Sequence, residues 1–146
     1  MKVIKGDLLK LGAQGTFDVI VHGCNCWTTM GAGIARQIKH KFPEAFEADK
    51  KTSIGCPEKL GTYSQATVGD LTIVNAYTQY NLGKDLRLEA LRECFRGIKQ
   101  EFSGKRIGYP KIGAGLAGGN WSEIAAIIDE ELEGEDHTLV EYAKTP

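Results

Sequence analysis

The sequence lacks any apolar run near the roughly 20 residues needed to cross a bilayer. Its opening segment, MKVIKGDLLK, holds no apolar leader core. The expectation is a cytoplasmic protein with no membrane partner. Charge of one sign is also missing: 18 Lys and Arg stand against 19 Asp and Glu, a formal net charge of −1. No global basic field gathers nucleic acid. Cysteine is sparse, with only Cys24, Cys26, Cys56 and Cys94. The pair in Cys24-Asn25-Cys26 has no matching second pair, which argues against a zinc site even with His22 adjoining it. Without an export signal, the thiols are expected to be reduced and mostly buried. No metal and no cofactor is expected. Proline is limited to four residues, and there is no repeat or low-complexity tract to mark a linker. With 42% of 146 residues hydrophobic, one core suffices. The expectation is a single, monomeric domain spanning 1–146.

What the sequence does have is alternation of two periods. Lys2 to Lys5 reads as a short strand, and Asp18 to Gly23 as a β-branched strand buried on both faces. Ile34, Ile38 and Phe42 are four residues apart, on one helical face that Pro43 ends. A polar helix follows, over Pro43 to Thr52. Leu60 to Val68 and Leu71 to Tyr77 are predicted strands joined by the turn dipeptide Gly69-Asp70. Asp85 to Phe102 is predicted as the clearest helix, with Leu88, Leu91, Phe95, Ile98 and Phe102 as its apolar stripe. Arg106 to Tyr109 is a strand. Asn120 and Glu123 have capping-box spacing for a last helix that Gly134 closes, and His137 to Tyr142 is the last strand. This order implies a three-layer α/β/α sandwich around a mixed central sheet.

Glycine is concentrated where strands give way to helices. Gly31-Ala32-Gly33 is one such loop, and Gly113, Gly115, Gly118 and Gly119 form the other. Backbone without side chains lets a phosphate approach, and a helix start offers unpaired N–H groups. Two such loops on one sheet edge imply a nucleotide crevice; a single loop would read more simply as a tight turn. Gly113, Gly115 and Gly118 also satisfy G-x-G-x-x-G, the dinucleotide fingerprint. That reading fails on position, because only one helix and one strand follow, and Glu141 lies on the last strand with no second half beyond it.

Gly6-Asp7-Leu8-Leu9, VIVHGCNC over Val19 to Cys26, Met30 to Ala35, Val74 to Gln79, and Pro110 to Leu116 with Trp121 occur in an order that resembles the macrodomain family. The resemblance covers almost the whole chain. It implies a small-molecule ligand, ADP-ribose or ADP-ribose 1″-phosphate, with nucleic acid a partner only as an ADP-ribosylated substrate. It further implies ligand contacts from Asp7, Leu8, Gly31, Ala32, Gly33, Ile34, Gln79, Gly113, Ala114, Gly115, Leu116 and Ala117.

Two branches share the Met-Gly-x-Gly-Ile-Ala pattern. In the terminal ADP-ribose glycohydrolases a catalytic Lys and Asp occupy the places held here by Gln79 and Ala117, which counts against that chemistry. Lys84 lies five residues past Gln79. The yeast-type phosphatase branch, acting on ADP-ribose 1″-phosphate, carries a His-x-Cys-Asn-Cys sequence similar to His22 through Cys26. The chain is therefore expected to be a metal-independent phosphatase, with His22 and Asn25 as catalytic residues. The alternatives are a non-catalytic ADP-ribose reader and an ADP-ribosyl hydrolase acting on protein, nucleic acid or O-acetyl-ADP-ribose.

Each assignment has a plainer counterpart. Asp7, implied to accept from the adenine amino group, also suits a helix cap. Asn25, implied to bind the distal ribose, also suits an Asx-turn. An unperturbed imidazole titrates near neutrality, so His22 suits a general base, or a satisfied core histidine. Tyr77, Tyr80 and Trp121 read as crevice walls, with Trp121 equally suited to the core. Lys111 borders the second loop and reads as a phosphate contact or a surface lysine.

Overall fold

A computed structural model describes residues 1–144; the last two residues of the predicted domain lie outside it. Six strands form one sheet: β1 (Lys2–Gly6), β2 (Val19–Cys24), β3 (Tyr63–Val68), β4 (Leu71–Tyr77), β5 (Arg106–Tyr109) and β6 (Asp136–Tyr142). Their order is β1-β6-β5-β2-β4-β3, all parallel except the β3–β4 hairpin, as the Gly69-Asp70 turn predicted. Five helices accompany them: α1 (Leu8–Ala13), α2 (Gly33–Lys41), α3 (Pro43–Lys50), α4 (Leu88–Phe102) and α5 (Trp121–Glu131). The expected mixed-sheet α/β sandwich is what forms.

Strand alternation divides the core in two. Val19 and Val21 of β2 face Leu91, Phe95 and Ile98 of α4 and Ile124 and Ile128 of α5. Ile20 and Cys24 face the other way, with Leu8 and Leu9 of α1, Ile38 of α2 and Ala45 of α3. Among the described residues, no helix is long and apolar enough to cross a membrane.

Three local differences from the predicted elements have physical causes. α1 was not predicted, because its six residues include Gly12 and show less than two turns of pattern. β3 starts at Tyr63 rather than Leu60, since Pro57–Lys59 makes a 3₁₀ turn and Gly61 adopts φ +84°. α4 starts at Leu88 rather than Asp85. The Asp85 carboxylate instead accepts from Asn81 N–H and pairs with Arg87, holding that segment as a loop and leaving Leu88 exposed. Asn120 caps α5 as its spacing predicted, accepting from Glu123 N–H at 3.3 Å. Asn120→Ala is expected to cost about 1 kcal/mol in chemical denaturation.

Candidate functional site

Parallel strands β1, β2, β4, β5 and β6 all end on one edge of the sheet. β2 and β5 are neighbours, yet the chain leaves β2 for α2 on one face and leaves β5 for α5 on the other. Their loops diverge and open a crevice, the position where open α/β sheets take ligands. A cleft of about 460 Å³ lies there, lined by residues from 23–25, 29–35 and 110–117, with Asp49, Gln79, Leu82 and Gly83 closing it. That volume suits a small organic ligand.

The two loops differ in what they offer. In the first, the cap position of α2 is Ala32, which supplies no side-chain acceptor. The first N–H groups of α2 are thus left for a ligand, in the positive field of a helix start. Thr28 and Met30 hold positive φ angles of 59° and 40°, a cost that non-glycine residues bear only where packing enforces it. The buried Met30 side chain anchors the turn in the core beside Ile38. In the second loop Asn120 already caps α5, so the cradle is made of loop backbone rather than a helix start. A Cβ at Gly115 would meet nothing within 4 Å, whereas one at Gly119 would strike Leu86 at 2.2 Å and the Gly113 carbonyl at 2.7 Å. Gly113 and Gly115 line the cleft; Gly118 and Gly119 do not, and serve the turn instead.

Of the expected site residues, Asn25, Gly31, Ala32, Gly33, Ile34, Gln79, Gly113, Gly115, Leu116 and Ala117 line the cleft. Asn25 also forms the Asx-turn that was its alternative: Oδ1 accepts from Trp27 N–H at 2.8 Å, and Nδ2 donates to Thr29 Oγ1 at 2.9 Å. Gln79 donates its amide to the carbonyls of Asn81 and Gly83 and so pins the adjoining loop. Lys111 lines the cleft with its ammonium 3.6 Å from Glu141.

Four expected residues lie elsewhere. Asp7 caps α1, with Oδ1 accepting from Leu9 and Lys10 N–H. Leu8 is buried in the core, and Ala114 packs against the opposite core cluster. The fourth is His22. It shares its strand face with Ile20 and Cys24, is wholly buried, and is not among the cleft-lining groups. Its Nε2 lies 2.6 Å from Asn75 Oδ1, and the Cys24 sulfur sits 3.7 Å from Nδ1. Burial lowers its pKa to about 4, against a smaller opposing effect of Asn75. The ring is neutral, wholly buried and not among the groups that line the cleft, so the structure does not bring His22 to the cleft surface where the reacting centre was expected.

The aromatic walls are also core. Tyr77 is buried, Trp121 packs against the α4–α5 cluster, and Tyr80 donates to the Gly55 carbonyl. Lys84 sits beside Gly118 in a separate shallow groove, outside the cleft. The cysteines are free, and all but Cys56 are buried.

Sequence reasoning missed Asp49. It is 1% exposed, on the last turn of α3, and is the only carboxylate lining the cleft among the described residues. Tyr77 donates its hydroxyl to Asp49 Oδ1 at 2.6 Å. Burial raises the Asp49 pKa, opposed by the Tyr77 hydrogen bond and by Lys59. Its sequence signal was spacing: Asp49 lies four residues after Ala45, on the same buried face of α3.

A mixed sheet with a switch-point crevice, walled by an uncapped helix start and a facing glycine loop, is the α/β arrangement in which open sheets take ligands. The Macro domain description matches residues 21–128, and the chain belongs to that family. Over 138 residues it is 40% identical to the "Uncharacterized 17.5 kDa protein in tk-vs intergenic region" of Enterobacteria phage T4, covering 88% of each. It is 31% identical over 144 residues to the ADP-ribose glycohydrolase OARD1 of Bos taurus, covering 95% of this chain and 88% of that one. Identity to the ADP-ribose 1″-phosphate phosphatase of Lodderomyces elongisporus is 26% over 149 residues, covering 89% and 91%. The macrodomain of Thermus aquaticus DarG shares the fold, with a TM-score of 0.75 at 24% identity over 98% and 97% of the two chains.

Proposed function

We propose that this chain binds ADP-ribose in the switch-point cleft and hydrolyses ADP-ribose 1″-phosphate to ADP-ribose and phosphate without a metal. The observation that carries the binding half is the pair of backbone walls, Gly31–Gly33 at the start of α2 and Gly113–Gly115 opposite, across one cleft. Backbone amides from both sides suit a diphosphate, and Asn25 marks the end that takes the distal ribose. Asp7, on the same sheet edge, keeps its proposed contact to adenine beside its capping role. For the hydrolytic half the support is similarity to the Lodderomyces phosphatase, together with the lack of a cationic or acidic group at Gln79 and Ala117.

A second reading, hydrolysis of ADP-ribosylated substrates, is favoured by the 31% identity to the Bos taurus glycohydrolase. The two separate in one assay. Incubation with ADP-ribose 1″-phosphate in chelator is expected to release phosphate and ADP-ribose in equal amounts. No phosphate there, with release of ADP-ribose from modified protein or DNA, would select the second reading. Binding with no turnover on any of them would leave an ADP-ribose reader.

A further inference from the structure

The buried polar groups behind the cleft form a single directed chain. His22 Nε2 lies 2.6 Å from Asn75 Oδ1, an atom that only accepts, so the ring donates. Asn75 Nδ2 donates to Ser64 Oγ at 3.0 Å, and to the Ala45 carbonyl at 2.9 Å. Ser64 Oγ lies 2.7 Å from Tyr77 Oη. Since Tyr77 spends its only hydroxyl proton on Asp49 Oδ1, Ser64 is the donor in that pair. Every link therefore points the same way, from His22 to the carboxylate of Asp49, a cleft-lining residue. Donors aligned in series polarise one another, and their summed dipole favours charge on the terminal acceptor. Lys59 adds a positive charge, its ammonium 4.5 Å from the Tyr77 ring centre. Tyr77 engages one carboxylate oxygen, Oδ1, and Asp49 is among the residues that line the cleft.

Resting on the phosphatase reading above, we propose that Asp49 is the general base of this site, and that the chain from His22 to Tyr77 positions it. In the step, a water oxygen bonds to the distal phosphorus while the bond from phosphorus to the 1″ oxygen breaks. The water proton passes to the carboxylate of Asp49. The 1″ oxygen leaves with the electron pair and takes a proton from solvent, giving ADP-ribose and phosphate. A base of this kind works best when its pKa is brought towards the working pH, and burial moves Asp49 in that direction. The titratable groups facing it are Tyr77 of β4, Lys59 of the 3₁₀ turn, and Cys24 and Cys26 at the end of β2.

Asp49→Asn keeps the shape and an acceptor for Tyr77 but removes the base. Turnover of ADP-ribose 1″-phosphate is expected to fall at least about 100-fold, while ADP-ribose binding by calorimetry changes only a few-fold. Tyr77→Phe removes a hydrogen bond that lowers the Asp49 pKa, so the acid limb of the pH–rate profile is expected to move to higher pH. A merely structural role would not move that limb. Undiminished turnover in Asp49→Asn would overturn the assignment while leaving the phosphatase reading standing. Phosphate release absent in the unaltered protein would end both. A folded Asp49→Asn protein that loses ADP-ribose affinity along with turnover would make Asp49 a ligand-holding group instead. Should Asp49→Asn fail to fold, an acid limb unmoved in Tyr77→Phe overturns the proposal.

Discussion

Gly115→Val is expected to weaken ADP-ribose binding at least about 100-fold, the equivalent of about 2.7 kcal/mol, with the melting temperature unchanged. Gly115 is exposed on the cleft wall, its φ is not in the left-handed region, and a Cβ there meets no atom within 4 Å. The fold therefore has room for the branched side chain. The ligand does not, because valine fills the space through which the loop backbone reaches a phosphate. Gly119→Val is the contrasting case. Its Cβ would collide with Leu86 and the Gly113 carbonyl, so it is expected to lower the melting temperature. Calorimetric titration and thermal denaturation of the two variants separate the roles.

His22→Gln is expected to remove a pH dependence of stability. The folded state holds His22 with a pKa of about 4, against 6.5 for an unburied imidazole. Below pH 6.5 the unfolded chain takes up a proton that the folded chain refuses, so acid pulls the equilibrium towards unfolding. The stability at stake is fully present above pH 6.5 and is lost as pH falls towards 4, on the order of 3 kcal/mol in all. Urea denaturation at pH 7 and pH 4.5 is expected to show a markedly smaller difference in the variant. A variant as acid-sensitive as the unaltered protein would mean that His22 is not held neutral. ADP-ribose binding is expected to survive the substitution, since His22 does not line the cleft.

The strands, every helix but α1, and the cleft were legible because they follow from local pattern. Alternating periods placed the parallel strands, Gly69-Asp70 marked the one hairpin, and glycine clusters after β2 and β5 marked the two walls. What escaped was the direction and burial of single side chains. His22 was judged by its chemistry and by its neighbours in a resembling motif. Period-two alternation puts it on the face of Ile20 and Cys24, and therefore in the core. Asp49 went unread for the opposite reason. In a helix as polar as PEAFEADK a carboxylate suggests solvent, and only the packing of α3 against β3 and β4 buries it. The division of labour among the glycines was equally hidden, because identical residues form the open cleft wall at Gly115 and meet a packing necessity at Gly119.

The central claim is that backbone from two opposed loops holds the diphosphate of ADP-ribose in the crevice between β2 and β5. Isothermal titration of the folded protein with ADP-ribose tests it directly. The predicted result is saturable binding of one molecule per chain, lost in Gly115→Val. A correctly folded protein that gives no heat and no thermal stabilisation with ADP-ribose would contradict it.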